Sequence, residues 1–67
     1  MAFGDNLKRL RLSHGYTQSE LAEMVNVNQS TYCQYESSGK IPNMYVAVKL
    51  ARILGTTVED MIKEEQA

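Results

Sequence analysis

The sequence has no tryptophan, one cysteine, one histidine, one phenylalanine and one proline, and no uninterrupted apolar run of membrane-spanning length. A lone cysteine excludes an internal disulfide, and without Cys/His pairs at ligand spacing no zinc site can staple the chain. Core packing must therefore hold 67 residues together by itself, at a length that buries only about 60% of the surface an unfolded chain exposes. Charges interrupt every apolar window of the N-terminal MAFGDNLKRLRL, so neither a signal-peptide core nor a membrane span is expected. The reducing cytoplasm is the expected compartment. One histidine, one cysteine and scattered acids supply no converging nucleophile, base and orienting group, and there is no glycine-rich phosphate loop. The expectation is a protein that is not an enzyme and needs no cofactor, metal or small-molecule ligand.

Excess positive charge is also missing. The formal net charge is -1, whereas nucleic-acid binders usually present a basic patch. The distribution softens that objection: residues 1–54 hold six Lys/Arg against four Asp/Glu, or +2, and residues 55–67 hold one Lys against four acids, or -3. Acidity is concentrated at the C-terminal end.

What is present reads as one all-α domain over 1–67, because apolar residues recur at helical spacing and no stretch alternates as a strand does. Leu7, Leu10, Arg11 and His14 share one face of a first helix over 3–14, with Phe3 a turn earlier and Gly15 as its left-handed stop. Leu12 points off that face. Thr17 and Glu20 have the spacing of a capping box, opening a second helix over 18–25 whose inner stripe is Leu21, Ala22 and Val25. Asn26 is the natural left-handed corner residue, and Asn28 is a good N-cap for a third helix over 29–37. At about 100° per residue, Tyr32, Tyr35 and Asn28 fall on one side of that helix, and Gln29, Ser30, Cys33, Gln34 and Ser37 on the other. Core packing is the reading for the two tyrosines. The outer row has no Lys, Arg, Asp or Glu, whereas a helix facing only water usually carries charges. Such a face suits close approach to a partner.

Asn43 can cap a fourth helix over 44–54, where Met44, Ala47, Val48, Ala51 and Leu54 repeat at helical spacing, with Leu50 and Ile53 widening the stripe into the expected centre of the core. Thr57 and Asp60 open a last helix over 58–64 with Val58, Met61 and Ile62 inward, and the terminal KEEQA is expected to fray.

A second helix, a sharp corner and a third helix form a unit whose second member can enter a major groove. Gln pairs in bidentate fashion with adenine, Asn28 can do likewise if capping leaves it free, and a small group such as Ser30 or Cys33 fits beside a thymine methyl. Gln18, at the N-terminus of the second helix, can bond a phosphate with help from the helix dipole. Cys33 has no cation within four residues to lower its thiol pKa, so a small contact residue is preferred to a redox sensor.

The run from Leu7 to Ile62 resembles the Cro and phage-repressor helix-turn-helix family (lambda-repressor-like, XRE family) over nearly the whole chain. The matching features are Leu-Arg in the first helix, Thr-Gln-x-Glu-Leu-Ala at Thr17, the Gln-x-Glu ending at Gln34–Glu36, Pro42, and Leu-Gly-x-Thr-x-Glu-Asp at Leu54. The resemblance implies a five-helix domain that binds double-stranded DNA sequence-specifically as a homodimer. It also implies transcriptional control, expected to be repression, in a cytoplasmic protein of bacterial or phage origin. It places Asn28, Gln29, Ser30 and Gln34 at base-facing positions with Cys33 beside them, and Thr17, Gln18, Ser37, Lys40 and Asn43 at phosphates. Arg11 and Glu36 match a structural pair tying the first helix to the third. The chain departs from the family in having no cation in the third helix, Asn26 for a common glycine, and Thr56 where an apolar residue is usual. The alternative, from the low charge and the acidic end, is an antitoxin-like protein-interaction module. Leu12, Tyr45 or the stretch from Val58 to Ile62 could supply a dimer contact.

Overall fold

The computed structural model describes residues 2–63, which form five α-helices and, among the described residues, no strand: α1 (Ala2–Ser13), α2 (Gln18–Met24), α3 (Gln29–Ser37), α4 (Met44–Ile53) and α5 (Val58–Ile62). The all-α reading and the five-helix order hold. The boundaries of α1, α2 and α4 differ by one residue from expectation. In α5 Lys63 already has extended backbone, so the helix stops at Ile62 rather than running on toward 64 as expected; of the terminal KEEQA expected to fray, all but Lys63 lies outside the described residues. No helix among those described is long and apolar enough to cross a membrane.

Three helices end in the same way, and the termini fix the corners. The amide of the second residue beyond each C-cap reaches back to the carbonyl five residues earlier: Tyr16 N to Arg11 O at 3.1 Å, Val27 N to Ala22 O at 3.0 Å, and Thr56 N to Ala51 O at 2.9 Å. This closure requires a left-handed residue in between, supplied by Gly15, Asn26 (φ 63°) and Gly55. Asn26 thus does what glycine does at the other two corners.

The core comprises Phe3 and Leu7 from α1, Leu21, Ala22 and Val25 from the second helix and its cap, Tyr32 and Tyr35 from α3, Val46, Leu50, Ala51 and Leu54 around α4, and Met61 from α5. Both tyrosines are buried, packed edge to face with ring centroids 6.0 Å apart. α1 approaches α3 closely: a Cβ on Gly4 would stand 2.8 Å from the carbonyl oxygens of both Tyr35 and Glu36. Only a glycine lets these two backbones meet. α4 and its cap supply Val46, Leu50, Ala51 and Leu54 to the same core, with Leu50 fully buried.

Three details of the apolar pattern differ from expectation. The inner stripe of α4 is rotated toward Val46 and Leu50, which leaves Met44 68% exposed. Apolar residues cover so much of this helix that periodicity could not choose the buried side. Ile62 is likewise 56% exposed. Asn6 is instead buried, its amide donating to Met61 O at 2.6 Å and Lys63 O at 3.1 Å. It satisfies carbonyls at the end of α5, where the last turn of a helix leaves its carbonyls without intrahelical donors.

Candidate nucleic-acid interface

The pair α2 and α3 is held by a carboxylate at the inner end of α3. Glu36 accepts from Arg11 Nε at 2.7 Å, Arg11 Nη2 at 3.3 Å, Tyr32 Oη at 2.7 Å and Gln18 Nε2 at 3.1 Å. Arg11 Nη1 also donates to Tyr16 O at 2.9 Å. The side chains of Arg11 and Glu36 are 9% and 3% exposed, and no buried side-chain nitrogen or oxygen among the described residues lacks a partner. One acid therefore joins α1, the residue entering α2, and α3.

The protonation states follow from that geometry. Burial alone would raise the Glu36 pKa, but the hydrogen bonds from Arg11, Tyr32 and Gln18 and the Arg11 charge outweigh it and hold it below the usual carboxylate value. The hydrogen bonds that Arg11 donates to the Glu36 carboxylate raise the Arg11 pKa against the opposing effect of burial. Burial first, and then the Glu36 carboxylate, push the Tyr32 phenol well above its ordinary range. All three groups stay in their neutral-pH forms. The expected structural pair is present, enlarged by Tyr32 and Gln18.

On this support α3 presents its outer row. Asn28, Gln29, Ser30 and Gln34 are exposed and Cys33 is half-buried, and none of these five side chains appears among the side-chain hydrogen bonds of the described residues. Asn28 differs from both of its sequence expectations. Its backbone has cap geometry (φ -66°, ψ 148°) but its side chain makes no capping bond, and it is exposed rather than grouped with Tyr32 and Tyr35. The helical angle does not apply to a residue whose backbone is extended. Its carboxamide is thus left free, in contrast to Thr17, Asn43 and Thr57, which all cap their helices.

The residues expected at phosphates are differently committed. Thr17 completes the capping box, accepting from Glu20 N at 3.0 Å while its own amide donates to Glu20 Oε1 at 2.9 Å. Asn43 Oδ1 accepts from Val46 N at 2.9 Å. Both caps use an oxygen as acceptor and leave hydrogens to donate, which is what a phosphate takes. Gln18 is half-buried with one amide hydrogen held by Glu36. Ser37 donates its hydroxyl to Cys33 O at 2.9 Å and would have to exchange that bond. Lys40 is exposed in the loop before α4. His14 stands at the end of α1, stacked on Tyr16 with ring centroids 6.3 Å apart. Among the described residues no group of three or more His, Cys, Asp or Glu could hold a metal.

Two helices locked at a left-handed corner, the second showing a free polar face on a buried scaffold, define a helix-turn-helix domain of the lambda-repressor-like kind. Residues 7–61 match the family model described as Helix-turn-helix. This chain belongs to that family, in its XRE-type branch. The chain is 32% identical over 65 residues to the SPbeta prophage-derived HTH-type transcriptional regulator YonR of Bacillus subtilis, covering 97% of this chain and 60% of that one. It therefore spans less than two thirds of that relative's length. Among solved structures, it resembles the N-terminal DNA binding domain of SinR from Bacillus subtilis, with TM-score 0.84, 27% identity, and coverage of 97% and 96%. It also resembles SinR in complex with DNA, with TM-score 0.81, 27% identity, and coverage of 91% and 98%. The family and these relatives are transcriptional regulators rather than enzymes.

Proposed function

We propose that the chain is a sequence-specific double-stranded DNA-binding transcriptional regulator, acting as a repressor in the cytoplasm. It binds a two-fold related operator as a homodimer, with α3 of each copy in successive major grooves about 34 Å apart. The observation that carries this reading is the outer row of α3, whose side chains from Asn28 to Gln34 are uncommitted inside the protein. Their neighbours on the inner side are locked by the core and by Glu36. Gln29 and Gln34 offer paired donor and acceptor groups for adenine, and Ser30 and Cys33 offer small surfaces for a thymine methyl. Thr17, Gln18, Ser37, Lys40 and Asn43 flank the row as the phosphate contacts. The likeness of this chain to SinR, a regulator solved in complex with DNA, supports DNA as the partner.

Selection of bound sites from a random duplex pool supplies the cognate half-site and its spacing. On that site Gln34→Ala is expected to lose about 1–3 kcal/mol, with little change on random DNA. Gln18→Ala should weaken binding to all sequences alike, because phosphates carry no sequence. Equal losses for Gln34→Ala on both kinds of DNA would remove its reading role. Absence of any DNA binding at low salt would transfer the role to a protein partner of the antitoxin-like kind.

A further inference from the structure

We infer that Glu36 is a positioning residue for DNA binding: by taking one amide hydrogen of Gln18 it holds the other ready for a backbone phosphate, at a set distance from the base-facing row of α3. The inference deepens the DNA-bound reading above and rests on it.

A carboxylate only accepts hydrogen bonds, and that decides which end of the Gln18 carboxamide turns inward. Nε2 donates to Glu36 Oε1 at 3.1 Å, and Gln18 makes no other side-chain hydrogen bond among the described residues. An amide turned the other way would set its oxygen against the carboxylate. One hydrogen of Nε2 is thus left to donate, on a side chain that is only half-buried.

Glu36 itself has nothing left to offer an incoming group. Its Oε1 takes Arg11 Nη2 and Gln18 Nε2, and its Oε2 takes Arg11 Nε and Tyr32 Oη. Two donors on each oxygen fill the capacity of a carboxylate. Its side chain is 3% exposed and its charge is paired with Arg11, so a phosphate at Gln18 meets a donor and not a free anion. Glu36 lies on α3 just beyond Gln34, and Gln18 opens α2. The bond therefore ties a phosphate contact on one helix to the base-facing row on the other, and DNA does not have to immobilise the glutamine by itself. The rotamer freedom that a glutamine loses on being fixed is worth about tenfold or more in affinity.

A double-mutant cycle tests this on the selected duplex. In the otherwise native chain Gln18→Ala should weaken binding by about tenfold or more. With the network removed by the apolar pair Arg11→Met and Glu36→Leu, its folding checked by circular dichroism, Gln18→Ala should cost less than about threefold, because the glutamine is already unheld. Lys40 takes no part in the network, so Lys40→Ala should lose the same factor in both backgrounds. A purely structural Glu36 would change both losses or neither. Equal losses for Gln18→Ala in the two backgrounds, or a Lys40→Ala loss that shrinks with it, would overturn the inference. So would Gln18→Ala without effect in the native chain, and Gln34→Ala on the same duplex then shows whether the DNA reading itself survives. Nuclear magnetic resonance of the native chain gives a second test that needs no core substitution. One amide proton of Gln18 should exchange slowly with water before DNA is added, and the other only in the complex. Fast exchange of both protons in the free protein, or a second proton that DNA leaves unprotected, would count against the inference equally.

Discussion

Replacing Glu36 by glutamine keeps the size of the side chain and removes its charge. The amide can still accept at one oxygen, but its NH₂ now meets a donor from Arg11, Tyr32 or Gln18, all within 3.3 Å of the native carboxylate. Arg11 keeps its bond to Tyr16 O but is left as a buried charge without a counter-ion. Removing one partner of such a pair typically costs about 3–5 kcal/mol; the remaining Tyr16 bond and the partial access of Arg11 to solvent favour the low end, about 3 kcal/mol. A domain of 67 residues has roughly 3–10 kcal/mol in total, so Glu36→Gln should leave it close to unfolding. The melting temperature should fall by about 12–24 °C. Urea unfolding followed by circular dichroism gives the free energy directly. The apolar double replacement Arg11→Met with Glu36→Leu leaves no buried charge and should recover part of the loss, the remainder being the Tyr32 hydroxyl left without its acceptor. A cost for Glu36→Gln below about 1 kcal/mol, the range of an exposed pair, would refute the argument that burial makes this network structural. Acid supplies an independent check. The folded Glu36 pKa lies below its ordinary value of 4.5, so its contribution is complete above about pH 4.5 and is lost as pH falls through the lower folded value. The stability difference between wild type and Glu36→Gln should shrink in that acid range; a constant difference would mean the carboxylate is not the group concerned.

Gly4→Ala should destabilise by about 1–3 kcal/mol, because the new Cβ meets two carbonyl oxygens at 2.8 Å. Helix propensity alone predicts about 1 kcal/mol of stabilisation, so the sign of the change in urea midpoint decides between them. Asn26→Ala should cost about 1–2 kcal/mol for its left-handed backbone at φ 63°, whereas Asn26→Gly should melt close to the wild type; equal melting of both variants would rule out the corner as the cause. Lys40→Ala should reduce the slope of log affinity against log salt by about 0.9 for each phosphate that Lys40 neutralises, or about 2 for a two-copy complex. An unchanged slope would remove Lys40 from the phosphate contacts.

The sequence by itself determined the local structure, because caps and corners depend on residues close in the chain. Thr17 with Glu20, Gly15, Asn26 and Gly55 act where their types and spacing put them. The apolar spacing of Leu21, Ala22, Val25, Tyr32 and Tyr35 also identified their burial, since each stripe was narrow enough to have one possible inner side. Tertiary structure decided what spacing leaves open. It chose which side of the broadly apolar α4 is buried, exposing Met44 and burying Val46. It brought Gly4 against the carbonyls of Tyr35 and Glu36 and Asn6 against those of Met61 and Lys63, contacts between residues more than 30 positions apart. It gathered Gln18 and Tyr32 onto Glu36 and left Asn28 uncapped. A polar side chain's role depends on which partner reaches it first, and that is fixed only when distant segments meet.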